Sequence, residues 1–409
     1  MKTEKILTKT SGRCLNVTAS KVDSLRINED VYSTVRVYDG GFIGVEGRLG
    51  NADFGKLENA AKLKLAQKIP YPETHDIEPL VLSVNADKRV IDERKFIPTI
   101  SALLERMQKE NPAFLFGNKV LLNSDEVTYE NSDGTKLHYK GSEFTPYFTI
   151  KHKGSANIMD ESYGANSDYF SEDEICRDVK LKCDAFLNEL PQIAEDEVTV
   201  IGDFEPINHA ISHFIADLYY NNSSIFNGKL GEKIFNEKFS LVIDRNPDEV
   251  LNVPFFDAEG VVNKGYKNYL VKDGVLAGLL TCKKSSAQYG AQNIGAASAP
   301  YDGVPSFGGG GTTVESTADS LDQLVKGRAI YLSVSSGGDM TPAGDISMPA
   351  IVAYLYEDGK LAGKLPEFTV TGNLFDIFGK DFIGVCKKGF YSFGKNKYFV
   401  YKAKIVNKK

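Results

Sequence analysis

Ser24-Leu-Arg-Ile-Asn-Glu-Asp-Val-Tyr-Ser-Thr-Val-Arg-Val-Tyr-Asp-Gly-Gly-Phe-Ile-Gly-Val-Glu-Gly-Arg-Leu49 decides the first half of the fold. Apolar and polar residues alternate through Val35, Val37 and Ile43, the period of a strand with one buried face. Gly40-Gly41 interrupts the alternation as the turn of a hairpin. Residues 12–50 are therefore expected to be strands. A helix is expected next, over 53–68, with Leu57, Ala60, Ala61 and Leu65 on one stripe, stopped by Pro70-Tyr-Pro72. A second, from Pro98 to Met107, opens with proline in its first turn.

From Lys119 to Lys153 the period returns to two, with Ser132-Asp133-Gly134 as a turn. A long helix is expected over 172–190, where Ser171 and Glu174 have capping-box spacing. Beyond Val198 the pattern is one of short strands and glycine turns, with acidic-Gly hairpins at Asp273-Gly274 and Asp358-Gly359. The run Ser306–Thr313, SFGGGGTT, reads as a loop or mobile flap. The expectation is an α+β protein: an N-terminal α+β domain over 1–195 and a largely antiparallel β domain over 196–409.

Bulk properties exclude several functions. The 409 residues carry a formal charge of −7, with Lys and Arg scattered, so no basic stripe for nucleic acid is present. No apolar run has the length of a signal peptide or a membrane span, so no membrane contact is expected. Five dispersed cysteines (Cys14, Cys176, Cys183, Cys282, Cys386), with no CxxC pair, suit a reducing compartment, and a cytoplasmic location is expected. The Asn16-Val-Thr sequon is then a chance match.

The only grouped catalytic-type residues lie in Asn208-His209-Ala210-Ile211-Ser212-His213. On one continuous helix, Ile207, Ile211, Phe214, Ile215 and Leu218 share a face. His209, His213 and Asp217 share the opposite one, each four residues from the next. Two imidazoles at that spacing can chelate a metal, though such a pair is more often part of a solvated polar face. Ala210 stands where a metalloprotease needs a carboxylate base, and the nearest acids, Glu205 and Asp217, lie a turn away. Asp257 and Glu259 look like paired carboxylates, but FFDAEG at the start of a strand is more often a turn. Gly308–Gly311 lacks the Lys-Ser/Thr and helix of a phosphate loop. Gly337 and Gly338 read as a turn near a cleft.

Four stretches together resemble the TldD/PmbA family, whose PmbA members are also called TldE and were once described as modulators of DNA gyrase. They are Thr34-Val-Arg-Val-Tyr-Asp-Gly-Gly-Phe-Ile-Gly; the Asn208 helix with SSIFNGKLGEKIF and PFFDAEGVVNKGYKNYLVKDGVLAGLL; GGDMTPAGDISMPAIVAYLYEDGKL; and PEFTVTGNLFDIF. The resemblance implies a pair: a TldD-type subunit with a zinc-binding HExxxH helix and a distant cysteine ligand, and a TldE-type subunit lacking them. Such pairs act as peptidases on extended or unfolded peptides.

Carried over, the HExxxH positions fall on Asn208, His209 and His213, so the first ligand is Asn and the base is His. Asn is a weak zinc ligand. The segment Ile383-Gly-Val-Cys386 resembles the cysteine-ligand stretch, or else a strand following the ordinary turn at Thr371-Gly-Asn-Leu. The stretch after the helix is closer to the TldE pattern, and an opening N-terminal helix is missing.

The leading expectation is a TldE-like subunit with no cofactor. It would partner a TldD-type chain, or pair with itself, around a peptide cleft with Asn208, His209, His213, Asp217, Gly337 and Gly338 as contacts. Two alternatives remain. One is an active zinc peptidase with a rearranged His209, His213 and Cys386 or Asp217 site, Glu205 serving as base. The other is a peptide-binding scaffold that works by strand addition.

Overall fold

A computed structural model of the chain describes residues 1–73, 79–88, 90–202 and 204–408. The alternation around Val35 and Val37 belongs to an eight-stranded sheet built from two long hairpins. Lys2–Thr18 pairs with Lys21–Asp39 on one side and with Phe114–Asn131 on the other. Phe42–Leu49 extends the sheet beyond Lys21–Asp39, and Lys136–His152 extends it beyond Phe114–Asn131. Val81–Ala86 adds the one parallel pairing, against Lys136–His152.

The first strand starts at Lys2, ten residues before the sequence pattern places it. Its lysines and threonines leave most positions half-exposed, so the hydrophobic alternation that marks a strand is absent there. The period-two stretch from Lys119 to the turn at Ser132 belongs to one continuous strand of 18 residues, Phe114–Asn131.

The helices Phe96–Glu110 and Glu172–Leu187 cover the sheet. Ile100, Leu103, Leu104 and Met107 from the first, and Ile175, Val179 and Cys183 from the second, pack with Phe114, Phe116, Phe144 and Phe148. The helix Phe54–Lys64, capped by Asp53, sets Leu57 and Ala61 against Val35 and Val37. At Ser171 only half of the capping box forms. Its hydroxyl accepts from the Glu174 N–H, while the Glu174 carboxylate accepts from Tyr169 instead.

From Glu197 onward the chain supplies a nine-stranded, mostly antiparallel sheet. Five of its strands close on themselves. In order these are Tyr398–Asn407, Phe368–Asn373, Asp345–Glu357, Ala329–Ser335 and Glu197–Gly202, the last pairing back with the first. Closure leaves those five without a free edge. Both acidic-Gly hairpins form, with Asp273-Gly274 and Asp358-Gly359 in the left-handed region. Four-stranded and two-stranded sheets carry the intervening chain between 241 and 314.

The two large sheets are joined by buried charge. Lys182, on the helix Glu172–Leu187, reaches Glu161 Oε1 at 3.1 Å and Ser333 Oγ at 2.8 Å. Tyr354 closes the cluster by donating to Glu161 Oε2 at 2.6 Å. Among the described residues no helix is long and apolar enough to cross a membrane.

Candidate functional site

The segment read as one helix from Asn208 is three pieces. Glu205–Ala210 is α-helical, Ile211–Phe214 is a 3₁₀ turn, and Ala216–Tyr220 is a separate short helix. The break is at Ile215, which is extended (φ −65°, ψ 126°). There the backbone leaves the helix to pair with Leu280: Ala216 N–H donates to the Leu280 carbonyl at 3.1 Å, and Leu280 N–H to the Phe214 carbonyl at 2.7 Å. A strand-type bridge thus replaces the helical turn, and His209, His213 and Asp217 do not share one stripe.

Each of those side chains has its own surroundings. Nε2 of His209 is buried, 3.7 Å from Glu205 Oε1, and makes no hydrogen bond among the described residues. Asn208 Nδ2 donates to Glu205 Oε2 at 3.3 Å. His213 turns inward against the Phe226 ring, and its Nδ1 accepts from the Ile225 N–H at 3.3 Å. Burial holds its pKa below the ordinary imidazole value. A neutral imidazole that accepts at Nδ1 carries its proton at Nε2, so neither nitrogen offers a lone pair to a metal. Asp217 accepts from the Tyr289 hydroxyl at 2.7 Å.

Cys386 lies elsewhere. Its strand neighbour Val385 belongs to the hydrophobic core that also holds Ile207, Ala210 and Phe214, whereas Cys386 belongs to a separate one with Ile201, Tyr354, Tyr398 and Val400. Successive side chains of a strand face opposite ways, so Cys386 is on the far side of the sheet from the histidines. Burial pushes its thiol up to about 11, the reverse of what a thiolate ligand needs. Among the described residues no group of three or more His, Cys, Asp and Glu side chains is placed to hold a metal ion. Among the described residues the structure therefore does not group His209, His213 and Cys386 or Asp217 as one ligand set.

Gly337 and Gly338 lie in the loop after the strand Ala329–Ser335, both at positive φ. A Cβ on Gly338 would stand 2.5 Å from the Ser347 carbonyl, so the close backbone approach there requires glycine. Gly344, in the following turn, abuts Phe375, whose ring is 5.9 Å from Phe226, the residue beneath His213.

A second polar centre, where the eight-stranded sheet meets the segment 257–283, was represented in the sequence reading only by Asp257 and Glu259. Glu4 is fully buried and is shared by Arg36 (3.2 Å), Lys283 (3.2 Å) and the Tyr38 hydroxyl (2.9 Å). Glu259, also fully buried, accepts from the Tyr71 hydroxyl and from the Lys283 N–H. Burial, then the neighbouring Asp257 charge, push its carboxyl up to about 7. Asp257 accepts three backbone N–H groups, those of Glu259, Val261 and Ala297. The turn reading of Asp257 is thus correct, but Glu259 belongs to a buried ionic network. Arg36 alternates with Val35 and Val37 in the polar phase of its strand, so the period-two pattern does not mark it as buried.

The glycine run packs beside this centre. Short strands Ser306–Phe307 and Thr312–Val314 flank it, so it is tied at both ends. Gly311 has φ +84°, and a Cβ there would stand 2.3 Å from the Asp244 carbonyl.

Comparison with known proteins places this geometry. Residues 204–393 match the family described as the PmbA/TldA metallopeptidase C-terminal domain. A metalloprotease of Methanothermobacter thermautotrophicus is 29% identical over 208 residues, 48% of this chain and 44% of that protein. A metalloprotease TldD homolog of Haemophilus influenzae is 26% identical over 180 residues, 42% of this chain and 37% of that protein. The chain thus spans less than half the length of the curated relatives it matches.

Similarity to solved structures extends over the whole chain. TldE from Thermococcus kodakarensis superposes with a TM-score of 0.81 at 16% identity, covering 99% of this chain and 97% of that one. A Thermotoga maritima protein described as a modulator of a DNA gyrase gives 0.74 at 17% identity, covering 99% and 95%. At those identities the likeness establishes the fold.

Proposed function

Starting from a chain that belongs to the TldD/TldE/PmbA family, we propose that it is the catalytically silent, TldE-like member of a peptidase pair. In this reading it supports a TldD-type subunit and helps bind extended peptide, in the cytoplasm. One observation carries the reading. At the position where the family resemblance puts HExxxH, the chain holds Asn208, His209 and His213, and His213 commits Nδ1 to the Ile225 N–H.

Metal-assisted peptide hydrolysis needs a polarising ion and a base beside the attacking water. Here a histidine takes the glutamate position, and its nearest carboxylate oxygen, on Glu205, is 3.7 Å away. The position of Cys386 across the sheet supports the same conclusion. What remains at the segment is a polar set, Asn208, His209 and Glu205, suited to hydrogen-bonding a peptide rather than cleaving one.

Co-purification and an unfolded-peptide cleavage assay with a TldD-type partner test the proposal. The chain alone leaves the peptide intact, and its addition raises the partner's cleavage rate. Chelator-sensitive cleavage by the purified chain alone would overturn it.

A further inference from the structure

Between the eight-stranded sheet and the loops of the C-terminal half lies a cavity of about 640 Å³, distant in sequence from the Asn208 segment. Arg36, Arg245, Tyr32, Tyr301 and Gly310 are on its wall. The two arginines are 3% and 7% exposed, so both guanidinium groups are held away from bulk water.

Their hydrogen bonding is incomplete. Arg36 gives Nη1 to Glu4 and to the Ala258 carbonyl, while its buried Nε has no partner among the described residues. Arg245 gives Nε to the Gly295 carbonyl and Nη1 to the carbonyls of Pro254 and Phe256. All of these acceptors are neutral. Among the described residues no carboxylate lies within 4.0 Å of Arg245, and Asp257 is occupied by its three backbone donors. Glu4 is shared between Arg36 and Lys283, and Glu259 is engaged by Tyr71 and the Lys283 backbone. Burial holds the Arg245 guanidinium below its ordinary pKa. Asp257, also on the cavity wall, offsets that burial only in part and from beyond ion-pair distance, so a negatively charged ligand still gains from the Arg245 guanidinium. Planar guanidinium donors suit carboxylate and phosphate oxygens in particular.

The other walls fit a compact ligand with an apolar or aromatic body. Tyr32 and Tyr301 lie with ring centroids 5.2 Å apart on the same cavity. The Gly310 Cβ position stands 3.6 Å from Arg245 Nη2, so the absence of a side chain there leaves that nitrogen open to the cavity.

We propose that this cavity binds an oxyanion, a carboxylate or phosphate group on a small ligand, between Arg36 and Arg245, with Tyr32 and Tyr301 against the ligand's body. The inference is independent of whether the Asn208 segment holds zinc.

Titration calorimetry of the full chain with N-acetyltyrosine, its amide and inorganic phosphate tests it. N-acetyltyrosine or phosphate binds, and the amide binds at least tenfold more weakly than the free acid. Tighter binding of phosphate than of the acid identifies a phosphate ligand, and the reverse a carboxylate. Arg245→Met weakens binding at least tenfold. Gly310→Leu does the same by filling the cavity over Nη2 without removing a buried charge, so it reads the site even if Arg245→Met fails to fold. Equal binding of acid and amide, no binding of either oxyanion, or unchanged binding by folded Gly310→Leu would overturn the proposal.

Discussion

The Ile225 N–H donates to Nδ1 of His213 at 3.3 Å, while Ser224 Oγ donates to the His213 carbonyl at 2.6 Å. Both contacts come from the turn that follows the short helix Ala216–Tyr220, and both fold His213 back onto Phe226. His213, which the family resemblance sets at the last zinc-ligand position, packs against Phe226 and accepts a backbone hydrogen bond.

A structural His213 predicts a particular mutational pattern. His213→Ala leaves the Ile225 N–H without an acceptor and costs about 1–3 kcal/mol. His213→Asn keeps an oxygen near the Nδ1 position and should cost less. Chemical denaturation of both variants checks the order, and equal losses would show that the hydrogen bond contributes nothing.

Lys182 and Glu161 are 3% and 1% exposed and tie the helix Glu172–Leu187 to both sheets. Lys182→Met strands the Glu161 charge and is expected to destabilise by about 3–5 kcal/mol. Adding Glu161→Gln should restore part of that loss, giving a coupled double-mutant cycle. Additive losses would contradict the pairing.

Glu259 sets a pH dependence. Its carboxyl is raised to about 7 in the folded protein, above the value of about 4.3 for an exposed glutamate. The folded state thus holds the proton more tightly than the unfolded state. The associated stability is present below about pH 4.3 and is lost as pH rises through about 7, a change on the order of 3 kcal/mol. Unfolding free energies of wild type and Glu259→Gln, measured from pH 5 to 8, should diverge, with wild type falling relative to the variant. Parallel curves would contradict this.

The glycine run separates into required and free positions. Gly311→Ala should cost about 1–3 kcal/mol, since φ is +84° and the added methyl would press on the Asp244 carbonyl. Gly309→Ala should be nearly neutral, its nearest neighbour being Thr312 Oγ1 at 3.7 Å. Thermal melts of the two variants distinguish these outcomes.

The strands around Val35, the three long helices and both acidic-Gly hairpins were legible because each buries one face or needs a left-handed turn. The strand from Lys2 was not, because lysine and threonine occupy both its faces. Nor was the break at Ile215, since helical periodicity carries no sign that Leu280, far along the chain, offers backbone partners. At the candidate site the residue identities were legible but their directions were not. The wheel that put His213 beside Asp217 assumed a helix that the Leu280 bridge interrupts. The Glu4, Arg36, Lys283 and Glu259 network was invisible because its members lie up to 279 residues apart.

Metal analysis of the purified chain, beside that of His213→Ala, tests the central claim most directly. A catalytically silent subunit predicts zinc well below one equivalent in both proteins. One tightly held zinc per chain, lost on His213→Ala, would contradict it.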